Sequence, residues 1–381
     1  MPFLSSTAAL KRLDATAGYL LCKIIGRLRH YAGRPELAPD PDPAKIRRVL
    51  IIRPGGMGDM LMLLPVIRTI QQARPDIHID IICEKRNAEV LKLAGLERHA
   101  ILYDATPLRL LALRPNAYDV VLDSEQFHNF SAIMALASGA PVRVGFRINP
   151  ARLSLYTHLI SYDVDGYELD QFARLLRPLG IAHPVRSLDG ILADTTPPPE
   201  IQIPAAIAAL QRAGPVVAVS PGSSDPYKQW GQAKCIELIR GLLAQGACVV
   251  LIGGRAEAAQ AAALLAAANS DRVVNLAGTS SLTQTAAVLQ SATLFIGGDS
   301  GLGHLAVALA RPTLILFGPS DPNKWRRAGA RHRIIRKNLP CSPCSIFGYH
   351  KLCRDIPCMT NITVAEVLTA TRDLLTPPAK G

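Results

Sequence analysis

The run Gly297-Gly298-Asp299-Ser300-Gly301-Leu302-Gly303-His304 puts a carboxylate, a hydroxyl and an imidazole inside one glycine-rich turn. It follows an apolar run at 293–296 that reads as a buried strand, and precedes an alanine-rich run at 305–310 that reads as a helix. Strand, glycine turn and helix start offer free backbone N–H groups and a positive dipole end to a phosphate. Ser300, Gly301 and Gly303 are the expected cradle. Asp299 is placed to accept from sugar hydroxyls, and His304 to donate to a phosphate or a leaving group. A second turn, Arg53-Pro54-Gly55-Gly56-Met57-Gly58-Asp59, lies between a strand and a helix. Gly55, Gly56 and Gly58 allow a ligand close to the backbone. Asp59, kept ionised by helix-end N–H groups, can take a proton from a hydroxyl; the position also suits an ordinary capping aspartate. In a third turn, Ser223, Ser224 and Lys228 follow the strand 216–220 and form either an anion clamp or a turn with a solvated lysine. Tyr227 and Trp230 beside them read as packing groups.

Four of the eight cysteines cluster late in the chain, at Cys341, Cys344, Cys353 and Cys358. Cys-x-x-Cys followed by two further cysteines suits a four-thiolate metal site, with zinc the generic candidate and iron an alternative. It equally suits reduced thiols packed in a loop. Cys22, Cys83, Cys235 and Cys248 lie in apolar segments and read as small core residues. No P-loop lysine motif is present, and no Gly-x-Gly-x-x-Gly follows either leading strand. Asp40/Asp42 and Asp163/Asp165 are unconvincing metal sites. Electrophilic help is therefore expected from Lys228, His304 and helix dipoles, with no cofactor needed.

The elements that must position these groups alternate strand and helix. In the first half, strands are expected at 48–52, 77–82, 120–122 and 142–144. In the second they are expected at 216–220, 248–252, 273–276, 294–296 and 314–317, with helices at 60–73 and 232–243. This alternation predicts an α/β protein of parallel sheets with helices on both faces. The proline run at 194–199 reads as a linker. The expected segments are 1–45, an amphipathic helix and Pro-rich connector; 46–195 and 196–335, two Rossmann-like domains with a cleft between their strand ends; and 336–381, the cysteine cluster and a last helix.

The net charge of +12 is uneven: residues 324–354 hold nine Lys/Arg and no acid. Residues 1–49 hold nine Lys/Arg against four acids. No nucleic-acid-binding module is recognisable, and the basic runs lack interleaved aromatics. Leu10, Leu13, Ala17, Leu20, Leu21, Ile24 and Leu28 recur at helical spacing among basic residues. They form either a helix packed on the first domain or a basic amphipathic helix touching the anionic inner leaflet. No apolar run is long enough for a membrane span, and Lys11, Arg12 and Asp14 interrupt any signal-like stretch, so a cytoplasmic protein is expected.

Taken together, Arg53 to Asp59, Tyr118 to Asp123, Ser220 to Trp230, Gly298 to His304, and Phe317-Gly318-Pro319-Ser320-Asp321-Pro322 resemble glycosyltransferase family 9, the bacterial ADP-heptose:lipopolysaccharide heptosyltransferases. The resemblance implies a GT-B fold and an inverting, metal-independent transfer from ADP-heptose to a lipopolysaccharide-core sugar. By that resemblance residues 46–195 would bind the acceptor, with Gly55, Gly56, Gly58 and Asp123 on the acceptor side and Asp59 as general base. Residues 196–335 would bind the donor. There Lys228, Ser223 and Ser224 would hold the phosphates, Asp299 the donor sugar, and Ser300, Gly301 and His304 the pyrophosphate. Serines stand at 223 and 224 where well-known members carry threonines. Glu257 is the candidate for the adenosine ribose. Family members with cysteine tails include iron-binding protein heptosyltransferases, so an autotransporter-type acceptor is one alternative. A non-catalytic nucleotide-sugar-binding protein and a sugar-nucleotide epimerase are the others.

Overall fold

The computed structural model describes residues 12–31, 38–104, 117–182, 184, 187–194, 205–223, 225–345 and 353–376. Contacts divide the chain into two units, Met1–Ser187 and Leu188–Gly381.

Unit 1 contains α1 (Tyr19–Tyr31), β1 (Arg48–Ile52), α2 (Met57–Ala73), β2 (His78–Cys83), α3 (Lys85–Leu93), β3 (Ala100–Leu102), β4 (Val120–Asp123), α4 (Asn129–Ala137), β5 (Val142–Arg147), β6 (His158–Ser161) and α5 (Glu168–Arg174). Its six strands pair in the order β3-β2-β1-β4-β5-β6, and every pairing is parallel. The Val/Ile/Leu-rich β1 and β4 are buried almost throughout, as a sheet covered by helices on both faces requires. The order reverses between β1 and β4. That switch point opens a crevice at the carboxyl ends of the strands, and the turns after β1 and β4 lie there.

Unit 2 contains α6 (Ala205–Ala213), β7 (Val216–Ser220), α7 (Gln232–Ala244), β8 (Cys248–Leu251), α8 (Ala258–Ala268), β9 (Val273–Asn275), α9 (Leu282–Ser291), β10 (Leu294–Gly298), α10 (Gly301–Ala308), β11 (Thr313–Phe317), α11 (Pro322–Trp325), β12 (His332–Arg336), α12 (Pro357–Thr360) and α13 (Val364–Leu375). Its sheet runs β12-β11-β10-β7-β8-β9, again wholly parallel. Read from β9, this is the unit 1 topology repeated, with the switch point between β7 and β10. No helix among the described residues is long and apolar enough to cross a membrane.

The expected strands and helices form, with three differences worth a physical account. Strands β3, β6 and β12, at the sheet edges, are not among the expected ones: β3 and β6 are short, and β12 carries polar and charged groups at His332, Arg333 and Arg336. Helix α10 begins at Gly301 rather than 305, so Gly301, Gly303 and His304 form its first turn. Residues 188–192 join unit 2: Gly190 and Leu192 donate backbone hydrogen bonds to Val307 and Ala308 (3.1 and 2.8 Å), and Arg331 pairs with Asp189 at 2.7 Å. The division thus falls before the proline run, whose residues 195–199 lie outside the described ones. Cys22, Cys83, Cys235 and Cys248 are all buried, and Trp230 packs in the unit 2 core with its indole N–H on the Ile362 carbonyl at 3.0 Å.

Gly145 on β5 shows how tightly the core supports the site. A Cβ there would lie 2.5 Å from the ring of Tyr156, which is fully buried and hydrogen-bonded to Asp123. Gly145→Ala is expected to destabilise unit 1 by about 1–3 kcal/mol through overpacking. Thermal denaturation would show a fall of several degrees, and an unchanged midpoint would contradict this packing.

Candidate active site

In unit 1 the β1 turn places Arg53 and Asp59 at the switch point. Gly55 adopts φ +130, a conformation open to glycine, and so delivers Gly56 to the start of α2. Asp59 lies in the first turn of that helix. Its Oδ2 accepts from the Gly56 N–H at 3.1 Å, and its Oδ1 lies 3.0 Å from Arg53 Nη2. The side chain remains 26% exposed. Both readings of Asp59 therefore hold at the level of geometry: it caps α2, and it still presents carboxylate surface to a ligand.

The sequence pattern assigns Arg53 no role of its own. It is 3% exposed, lies 5.0 Å over the Phe172 ring, and donates through Nη1 to the Ser124 carbonyl at 2.6 Å. Nη1 also faces Glu125 Oε1 at 3.6 Å. Burial alone would weaken its hold on its proton, but Glu125 and Asp59 outweigh that and keep it charged. Glu125 is a second carboxylate that sequence reasoning missed. A Cβ on Gly55 would stand 3.2 Å from Glu125 Oε1 and 3.7 Å from Asp59 Oδ2, so both acids border the same glycine. Burial pushes the Glu125 carboxyl up to about 8, with Arg53 pulling the other way and Asp59 adding to the rise. At neutral pH the Glu125 carboxyl therefore keeps its proton beside the Arg53 guanidinium.

Asp123, expected on the acceptor side, is fully buried. Its carboxylate is engaged by Arg152 Nη2 (2.6 Å), Tyr156 Oη (2.6 Å), Ser131 Oγ (2.8 Å) and the Glu125 N–H (3.0 Å). Arg152 also donates to the Glu125 carbonyl at 2.9 Å. Asp123 therefore acts through the backbone of Glu125 rather than by touching a ligand.

In unit 2 the switch point gathers Lys228, Asp299, Ser300 and His304. Lys228 Nζ pairs with Asp299 Oδ2 at 2.7 Å, and Ser320 Oγ donates to the same oxygen at 2.8 Å. Burial would raise the Asp299 pKa, but Lys228 first, then Arg326 and His304, hold it down at about 2. His304 is driven well below its ordinary value by burial and by Arg326, so its imidazole is neutral. Ser300 Oγ and His304 Nδ1 are buried without a hydrogen-bond partner among the described residues. Each such group costs about 1–3 kcal/mol unless a ligand satisfies it. Arg326, counted in sequence only as part of a basic run, reaches the Ser300 carbonyl at 3.4 Å and packs so closely on Gly303 that a Cβ there would overlap its guanidinium. Ser223 is half-buried, its Oγ accepting from the Asp225 N–H at 3.2 Å; Ser224 lies outside the described residues. Glu257 packs on Gly222 at the end of β7 and accepts from the Gly254 N–H at 2.8 Å.

The cysteine segment backs this site. Ser342 Oγ donates to the Gly318 carbonyl at 2.7 Å, and the N–H groups of Cys344 and Ser345 donate to the Pro319 carbonyl at 2.8 and 2.9 Å. These contacts fix the strand end that carries Ser320. The four cysteines are neighbours: the Cys358 thiol is pushed up by burial and then by Cys344, Cys341 and Cys353. Among the described residues, however, the ligand atoms that come within 4.8 Å of one another in a group of three are those of His78, Asp80 and His99, not the thiols. That histidine pair lies at the opposite strand ends, where Arg98 Nε already donates to His99 Nε2 at 3.2 Å.

The raised Glu125 carboxyl has a measurable consequence. Its contribution to stability is complete below the ordinary glutamate range and is lost as pH rises through about 8, because the native state holds a proton that the unfolded chain releases. Glu125→Gln keeps the neutral form, so its melting temperature should overtake the wild-type value as pH rises across that window. Parallel melting-temperature curves against pH would contradict the burial of this acid.

Residues 110–350 match the model of glycosyltransferase family 9 (heptosyltransferase). The chain is 28% identical to lipopolysaccharide heptosyltransferase 2 of Salmonella typhimurium over 330 residues, 80% of this chain and 90% of that protein. It is 27% identical to lipopolysaccharide heptosyltransferase 3 of Escherichia coli K12, over 84% of this chain and 95% of that protein. Among solved structures it resembles E. coli ADP-heptose lps heptosyltransferase II, with a TM-score of 0.65 and 26% identity, over 86% of this chain and 98% of that one. With two parallel switch-point sheets of GT-B type and these matches, the chain belongs to glycosyltransferase family 9 and is a glycosyltransferase.

Proposed function

We propose that this enzyme transfers a heptose from ADP-heptose to a sugar of the lipopolysaccharide inner core, with inversion and without a catalytic metal. The observation that carries the reading is the pair of buried, unpartnered polar atoms, Ser300 Oγ and His304 Nδ1, at the start of α10 beside Lys228 and Arg326. A diphosphate supplies the acceptor oxygens and the negative charge such a site lacks. The names of the relatives supply the sugar and the nucleotide.

In this reading unit 1 takes the acceptor and unit 2 the donor. Asp59 removes the proton of the acceptor hydroxyl. The hydroxyl oxygen bonds to the anomeric carbon of the heptose, and the bond from that carbon to the diphosphate oxygen breaks, its electron pair leaving with ADP. Lys228, the neutral His304 as a hydrogen-bond donor, Ser223, Ser224 and the α10 N-terminus stabilise the departing charge. Asp299, ionised and fixed by Lys228 and Ser320, orients the donor sugar. A lipopolysaccharide acceptor places the work in the cytoplasm, at the inner face of the inner membrane. The cysteine segment is proposed as a structural site for zinc or iron that takes no part in transfer. Four neighbouring thiols supply suitable donors, although their sulfurs must draw together to share one ion.

Loss of a positioned base should lower turnover by about 10²–10⁴ while leaving ADP affinity intact. Steady-state kinetics and calorimetry on Asp59→Ala check this, and near-wild-type turnover would overturn the mechanism. Lys228→Ala should weaken ADP binding by roughly tenfold or more, the worth of one charge-assisted hydrogen bond. Unchanged affinity would remove Lys228 from the donor site.

A further inference from the structure

We infer that the outward face of α1 docks on an anionic lipid bilayer. This deepens the proposed setting at the inner membrane but stands apart from the chemistry of transfer.

The orientation of α1 is fixed by what its inner face holds. A π-helical turn, Asp14–Gly18, leads into it. Asp14 accepts from the N–H groups of Asn129 (2.9 Å) and Phe130 (2.8 Å), capping α4. Cys22 is fully buried with Sγ 3.4 Å from the Asn129 carbonyl, and Arg29 donates to the Ser154 carbonyl at 3.1 Å. Gly18 packs tightly on Asn129, and a Cβ on Gly26 would overlap the Ser154 hydroxyl at 2.4 Å. Positions 14, 18, 22, 26 and 29 therefore form one packed stripe, the spacing of a single helix face.

The opposite face must then point away from the protein, and it is apolar. Leu13, Leu20, Ile24, Leu28 and Tyr31 follow at helical spacing and are 40, 59, 45, 63 and 85% exposed. Of nine exposed large hydrophobic side chains among the described residues, seven lie between Leu13 and Tyr31. Single exposed leucines are ordinary; a continuous stripe of them marks an interaction surface. Lys23 and Arg27 are exposed and border the stripe, and they line a groove of about 280 Å³ with His30, Tyr31 and Ser154. Across residues 12–31 the basic side chains are Arg12, Lys23, Arg27 and Arg29, against the single buried acid Asp14. An apolar stripe flanked by cations, on a helix too short to span a membrane, has the build of an element that lies in the plane of a bilayer with acidic headgroups. The one-sided charge of these residues favours an acidic lipid surface over a protein partner, which would need no such excess of cations.

Co-sedimentation of the full chain with vesicles tests this. Wild type should pellet with vesicles of phosphatidylcholine and phosphatidylglycerol in equal parts and stay in solution with phosphatidylcholine alone. The variant Leu20→Gln/Ile24→Gln/Leu28→Gln, altered only at exposed positions, should lose that binding while keeping its melting temperature. Lys23→Glu/Arg27→Glu should weaken it roughly tenfold or more. Failure of wild type to bind the acidic vesicles, or equal binding by the triple variant, would overturn the inference. So would ultracentrifugation showing a wild-type dimer that the triple variant dissolves, since a second copy would then cover the face. No donor or acceptor enters the assay, so its outcome is independent of the transfer reaction.

Discussion

Arg53 is a cation buried at the end of a parallel strand, and the need to neutralise it shapes the carboxyl edge of the first sheet. A guanidinium taken out of water demands carboxylates with good geometry. Asp59 pairs with it at 3.0 Å from the start of α2, and the Glu125 side chain faces it at 3.6 Å from the loop after β4. This demand fixes Asp59 at the switch point, where the backbone already opens a crevice. Glu125 is the more deeply buried of the two acids, and that burial raises its carboxyl pKa. Behind Glu125, the Asp123–Arg152–Tyr156 network satisfies its own charges and braces the loop that carries it. The chain of dependence runs from core packing at Gly145 to the exposed edge of a carboxylate.

Unit 2 meets the same constraint with the charges reversed. Asp299 is the buried ion, and Lys228 and Ser320 neutralise and orient it. Ser320 is itself held in place by the segment that carries the first two clustered cysteines. Beside these ions, Ser300 Oγ and His304 Nδ1 have no hydrogen-bond partner among the described residues. Both sheets thus place a fixed ion pair at the point where strand order reverses, and both keep a polar edge available there.

The strands that bury both faces were legible in the sequence because their Val/Ile runs admit few other states. The edge strands β3, β6 and β12 were not. They are short or carry charge, as at His332, Arg333 and Arg336, since one side of each pairs with nothing in the sheet. In the site, the glycine turns announced Asp59, Asp299 and Ser300 directly, for close approach of a ligand needs glycine at set positions. Glu125, Ser320 and Arg326 gave no such local signal: their roles depend on neighbours far away in sequence, and a lone acid, serine or arginine after a strand is common. Asp123 shows the converse. A recognisable motif placed it near the site, and only burial and its four partners reveal that it supports a neighbour.

The most direct test of the account is mass spectrometry of a heptose-deficient lipopolysaccharide incubated with the enzyme and ADP-heptose. The account predicts addition of a heptose to the core with release of ADP, and inversion at the anomeric carbon of the product. An unmodified acceptor alongside transfer from a different nucleotide sugar would contradict the assignment of the donor site. So would hydrolysis of ADP-heptose that proceeds without regard to the acceptor.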